Sequence, residues 1–390
     1  MNDLCADIGY RSLNKYGEQL CGDRVQLIHA DDNSLILVLA DGLGSGVKAN
    51  ILSTLTSKII ATMIANAMPI EECVNTIAST LPVCQTRHIA YSTFTILKIT
   101  DNSYAEIIQY DNPMVILLRN GVHYDYPMTE RTIGGKKIYE SKLELQLDDV
   151  FIAMSDGAIY AGVERTLNYG WQRENIIDFV EANYDPSLTA KTITSLVLDE
   201  CDRLYEGRPG DDTTVASIQI RKRAPVNLLI GPPADPADVN KMFSLFFAKQ
   251  GRHIVCGGTT SKLTSEFLGK PMQTEIDYFD PDIPPTAKIE GVDIVSEGVI
   301  TISRVLEYAQ DYLDKNKRYD EWSVKNDGAS KIARMLFLEA TDINFYVGKA
   351  INPAHQNPDL PITFSIKIRL IDTLAQCLKQ MGKEIKVSYF

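Results

Sequence analysis

Between Leu35 and Ala40 six apolar residues follow one another without alternation, which predicts a strand covered on both faces. Its end delivers Asp41 to an exposed rim. A glycine-rich turn, DGLGSG, then leads into a helical pattern over 46–67. Residues 24–30 read as a partner strand across the turn DDNS, a hairpin-like start that brings Asp23 near Asp41. Pro69 separates the long helix from a second at Ile70–Thr80, which Pro82 stops, and both are expected on the outside of a sheet. YSTFTILKI, EIIQY, MVILLRNG and VHYDYP follow with DNS, DNP and NG between them, the pattern of an antiparallel meander. The apolar run Val150–Met154 ends at Ser155, Asp156 and Gly157. Helical patterns cover Arg173–Ala182 and Ser187–Tyr205, and Asp211 and Asp212 stand directly before a last strand.

After Pro225 the pattern changes to strand and helix in alternation, which signals a parallel α/β sheet. VNLLIGPP, RHIVCGG, GVDIVSEG, INFYVGKA and EIKVSYF read as strands. Asp238–Gln250, Thr260–Leu268, Ile300–Lys315, Ser330–Glu339 and Ser365–Gln380 read as helices, with loops at 277–288 and NPAHQNPDLP. His355, in the second loop, reads as an exposed or structural residue rather than a site.

A chain of 390 residues exceeds what one core usually supports, and the change of pattern sets the division at 1–223 and 224–390. An apolar fraction of 45% and a charged fraction of 23% are ordinary for a globular protein. The net charge of −12 and pI near 5.0 argue against a general nucleic-acid binder, which needs a basic face. RKR at 221–223 is the only compact basic run and reads as a solvated junction. Seven scattered cysteines without a CxxC pair fit a reducing cytoplasm without structural zinc or disulfides. No secretory leader or membrane span is expected, since SKIIATMIANAM is too short to cross a bilayer.

Asp23, Asp41, Asp156 and Asp211 each stand at the edge of an apolar strand, and none is beside a His. Taken singly, such a residue is a turn aspartate. As a set they suit a hard cation, because carboxylate, carbonyl and water ligands favour magnesium or manganese over zinc or copper.

These residues carry a resemblance. GD at 22–23, ADGLGSG at 40–46, MSDG at 154–157 and GDDTTV at 210–215 resemble the metal-dependent serine/threonine protein phosphatases of the 2C type, the PPM family. STFTILKI, QYDNPMVILLRNG and SDGAIYAG are similar to its bacterial sporulation-phosphatase, SpoIIE-like branch, over roughly residues 1–220. The resemblance implies an α+β fold: a PPM-type αββα sandwich, two antiparallel sheets flanked by helices, followed here by a smaller α/β domain with a mainly parallel sheet. It implies two divalent ions, Mn2+ or Mg2+, at one end of the sandwich. Asp41 would bridge them, the Gly42 carbonyl would bind one, Asp156 and Asp211 would complete the first shell, and Asp23 would serve the second ion through water. Asp212 stands where many relatives have Asn and receives a supporting role. Two ions about 3.5–4 Å apart share a bridging hydroxide and aim it in line at phosphorus, so no covalent phospho-enzyme is needed.

The chain departs from the better-known members in two ways. Leu43 stands where a proton-donating His often follows the Asp-Gly, which leaves a bound water as the donor. No arginine is fixed by motif as a phosphate clamp; Arg11, Arg24 and Lys48 read as surface residues. In this branch the helices after the turn act as a switch, and Val47–Thr80 occupies that place.

In the second half, Gly231, Gly257 with Gly258, and Gly298 end strands before helices, the edge where anions bind in open α/β sheets. Gly257, Gly258, Thr259 and Thr260 are the candidate anion cradle; the alternative, glycines ending strands and a threonine capping a helix, stays open. The expected activity is hydrolysis of phosphoserine or phosphothreonine on a regulatory phosphoprotein, with an anti-anti-sigma-like regulator implied as substrate. A small anionic ligand of the second domain and a second copy of the chain are further candidate partners. The competing readings are a catalytically idle phosphoprotein-binding scaffold and a phosphatase of small metabolites.

Overall fold

The unbroken apolar run becomes β3 (Ser34–Gly42), and its burial explains the missing alternation. Leu35, Leu37 and Leu39 face the core between two sheets, whereas Ile36 and Val38 face a core beneath helices. The structure, a computed structural model, describes residues 3–30, 33–80, 92–274, 280–314, 316–350 and 363–390. It divides into two compact units, Met1–Lys222 and Arg223–Phe390.

In the first unit β1 (Leu4–Leu13) is followed by the hairpin of β2 (Asp23–His29) and β3, then by α1 (Gly46–Ala65) and α2 (Ile70–Thr80). β4 (Ser92–Thr100), β5 (Tyr104–Tyr110), β6 (Ile116–Arg119), β7 (Val122–His123), β8 (Thr129–Ile133), β9 (Lys136–Glu144) and β10 (Val150–Met154) come next. α3 (Asp156–Ile159), α4 (Arg173–Asn183), α5 (Ala190–Leu204) and β11 (Thr213–Lys222) complete it. One sheet has the order β2-β3-β4-β5-β9-β8 and the other β1-β11-β10-β6-β7, both antiparallel. Leu37, Leu97 and Ile107 of the first sheet meet Leu117, Phe151 and Ile218 of the second in one core. The outer face of the first sheet packs on α1 and α2, that of the second on α4 and α5. This is the αββα sandwich.

The meander reading is corrected. β5 pairs with β9, whereas MVILLR leaves for the other sheet and pairs with β10. The period of two shows that a segment is extended but not which sheet it joins. The crossing is fixed at Asn112–Pro113, after which the Gln109 side chain accepts the Val115 N–H at 2.6 Å. β1, β8 and β9 were not among the expected strands; β1 contains Asp7, Gly9 and Arg11, which break its apolar signal.

In the second unit β12 (Val226–Ile230), α6 (Val239–Phe247), β13 (Arg252–Cys256), α7 (Gly258–Leu268), β14 (Gln273–Thr274), β15 (Ala287–Ile289) and β16 (Val292–Ser296) alternate as expected. α8 (Val299–Leu313), α9 (Tyr319–Val324), α10 (Gly328–Arg334), β17 (Asp342–Val347), α11 (Thr363–Gln380) and β18 (Glu384–Tyr389) follow. The order β14-β15-β16-β13-β12-β17-β18 is parallel from β16 to β18, with an antiparallel edge. The loop expected over 277–288 ends in β15, and α9 lies where no helix was expected. Residues 352–361, with His355, lie outside the described residues. Among the described residues no helix is long and apolar enough to cross a membrane.

Candidate metal centre

The hairpin places Asp23 and Asp41 opposite each other across β2 and β3. Asp41 ends its strand between Asp23 and Thr93 of β4, and its carbonyl accepts the Ser92 hydroxyl at 2.7 Å. Gly42 follows because α1 passes directly over it: a methyl group there would collide with the Ala49 carbonyl. Gly44 and Gly46 take φ of 97° and 69°, so the turn into α1 needs residues free of the left-handed penalty.

The other sheet supplies the remaining carboxylates. Asp156 opens α3 at the end of β10, and Asp211 and Asp212 immediately precede β11. Ser155 connects the layers: its hydroxyl donates to Asp23 Oδ2 at 2.7 Å and accepts the Thr214 N–H at 2.9 Å. Gly157 is required because a Cβ there would strike the Asp212 carbonyl.

Crowding of acids dominates the electrostatics. Burial, then the charges of Asp23, Asp156 and Asp211, pushes the Asp41 carboxyl up to about 10. Burial also raises Asp23, to about 7, against the opposing hydrogen bond from Ser155. Asp156 is raised by burial and by Asp211, and Asp111, in the turn after β5, adds to the same effect. Asp211 is raised by burial, with partial relief from Lys15, whose ammonium lies 3.7 Å away. All four carboxylates singled out in the sequence therefore converge on one another, Asp41 in the middle.

Two oxygens in this cluster, Asp23 Oδ1 and Asp212 Oδ2, are buried without a hydrogen-bond partner. An orphaned carboxylate oxygen in a low-dielectric site is costly, and a hard cation removes that cost. Among the described residues no group of three or more His, Cys, Asp or Glu side chains already stands at ligating spacing. The fit to divalent cations rests on the all-oxygen donor set, the mutual repulsion and the orphaned oxygens.

Residues 31–221 match the family model for stage II sporulation protein E (SpoIIE). The matched segment lies within the first unit, which resembles the SpoIIE family. Stage II sporulation protein E of Bacillus subtilis (strain 168) is 24% identical over 225 residues, 56% of this chain and 26% of that protein, so the chain spans about a quarter of the relative's length. The PP2C phosphatase domain of Bacillus subtilis SpoIIE, solved with a fragment of its regulatory domain, is 21% identical over 57% of this chain and 65% of that one, at a TM-score of 0.49. The RsbU and RsbW domains of a Mycobacterium tuberculosis protein are 17% identical over 62% and 70%, at 0.47.

Sequence reasoning passed over three contributors to this centre. Ser155 stands inside MSDG, but its partner Asp23 is 132 positions away in the chain and no local pattern announces it. Lys15 and Asp111 lie in turns whose composition is that of any surface loop.

In the second unit, Gly257 takes φ of 109° and caps α7, with no side-chain cap hydrogen bond. Thr260 is buried and its hydroxyl accepts the Gly231 N–H at 3.1 Å, whereas Gly258 and Thr259 are exposed. The threonine hydroxyl that was a candidate ligand donor thus braces the end of β12.

Proposed function

We propose that this chain is a divalent-cation-dependent protein phosphatase that hydrolyses phosphoserine or phosphothreonine on a regulatory phosphoprotein. The observation that carries this reading is the carboxylate cluster at one end of the sandwich, with Asp41 raised to about 10 by burial and three neighbouring acids. Bound there, Mn2+ or Mg2+ would supply an activated water and would neutralise the phosphoryl oxygens as charge develops.

The chain's own residues do the positioning. Asp41 and the Gly42 carbonyl project from the end of β3, where α1 pressing on Gly42 restrains the turn. Asp156 and Asp211 come from the ends of adjacent strands of the other sheet, β10 and β11. Ser155 holds one oxygen of Asp23 and leaves the other free for a water or cation. Lys15 balances part of the charge of the more exposed Asp211.

The substrate in this reading is a small phosphorylated regulator of the anti-anti-sigma kind. Residues 224–390 serve as a sensory or docking domain, for which Gly257, Gly258 and Thr259 line the sheet edge suited to an anion. The deciding assay uses phosphoserine peptides and simple phosphate esters, with manganese and then with chelator, on wild type, Asp41→Ala and Asp211→Ala. Metal-dependent release of phosphate from peptides, lost in both variants, is expected. Binding of the phosphopeptide without turnover would favour the scaffold reading instead.

A further inference from the structure

We propose that Asp212, together with Asp23, is an anionic anchor for one of the two divalent cations. The proposal rests on the phosphatase reading and assigns this chain an additional charged group in that centre.

Asp23 and Asp212 are each only 3% exposed, and each carries one oxygen without a partner. The two carboxylates are close enough for the charge of Asp212 to act on Asp23. Asp212 Oδ2 lies 2.7 Å from where a Cβ on Gly22 would stand, so the oxygen is directed to the residue immediately before Asp23, and glycine is what leaves it room. The other oxygen, Oδ1, accepts the Lys15 N–H at 3.0 Å, which fixes the side chain. The Lys15 ammonium pairs with Asp211, so it does not satisfy Oδ2.

Cys21 lies nearby, its sulfur in contact with the Leu13 carbonyl and the Thr214 hydroxyl. Two buried carboxylates with one orphaned oxygen each select a hard divalent cation, and charge count sets affinity in such sites.

A purely structural role is separable from this one. The Asn side chain of Asp212→Asn still accepts the Lys15 N–H, so it keeps the loop braced while removing the charge. The experiment is calorimetric titration of the chelator-stripped full chain with manganese, accompanied by a thermal melt of each metal-free protein. Wild type is expected to bind two ions. Asp212→Asn should bind one with unchanged affinity and the other at least tenfold more weakly, with no loss of melting temperature. Superimposable titrations would overturn the assignment while leaving the phosphatase reading intact. Wild type binding fewer than two ions would overturn both. Two ions bound, the second weakened in the variant, but no phosphopeptide hydrolysed by wild type would uphold the assignment and sink the phosphatase reading.

Discussion

Ser155 serves two masters with one hydroxyl, an Asp23 oxygen and the Thr214 amide, and both are buried. Replacing it with Ala leaves an acceptor and a donor unpaired, which costs roughly 1–3 kcal/mol. Urea denaturation of Ser155→Ala in chelator should show that loss; an unchanged midpoint would mean that water replaces the hydroxyl. Asp41 behaves in the opposite sense. Its carboxyl is raised to about 10 and that of Asp23 to about 7, so the folded chain keeps protons that the unfolded chain has released. This contribution is harmless below the ordinary carboxylate range near about 4 and works against folding increasingly as pH climbs through 7 toward 10. In chelator, the melting temperature of wild type should therefore fall more steeply between pH 5 and 9 than that of Asp41→Asn. Above neutrality the variant should be more stable by roughly 0.5–2 kcal/mol, the size of gain usual when a functional site is relieved of strain. Parallel melting curves would contradict the assigned crowding. Manganese should raise wild type and leave Asp41→Asn nearly unmoved.

At the scale of elements, the contact of α1 with the end of β3 decides whether the centre can form. Gly42→Ala places a methyl group against the Ala49 carbonyl, and a backbone atom cannot swing aside. Overpacking of this kind costs roughly 1–3 kcal/mol. The variant should melt lower and also bind manganese more weakly, because the Asp41–Gly42 segment must move; normal metal binding would show that the helix gives way instead. The same elements show what could be read from the chain. β3 was legible since six consecutive apolar residues have only one comfortable fate, a strand between two cores. β6 was legible as a strand but not as a member of the second sheet, because its partner β10 is distant in sequence and its alternation would suit either neighbour. The clustered aspartates were legible as strand-end residues in shared motifs. Ser155 was not, since its importance lies in which atoms it meets across the sandwich, whereas Asp212 was legible in a supporting role.

At the scale of the molecule, each unit closes its own core: among the described residues, the inter-sheet and helix-covered cores of the first involve none beyond Ile220, and those of the second begin at Val226. Arg223 pairs with Asp342 and Glu384, and the Ala224 amide donates to Thr341, so the second unit claims the chain from residue 223 onward. Fragments 1–222 and 223–390 should each unfold cooperatively in denaturant, and the first should retain metal-dependent hydrolysis of phosphopeptides. A first fragment that fails to fold would show that the cores depend on one another.

The acid cluster draws Asp23 and Asp41 from one sheet and Asp156, Asp211 and Asp212 from the other, with the Ser155 hydroxyl spanning the gap. Cations seated there would act as a clasp at the open edge of a two-leaved book. Whatever slides one leaf by an ångström would be read out as a change in grip on metal, and metal, by closing the clasp, would hold the leaves in register.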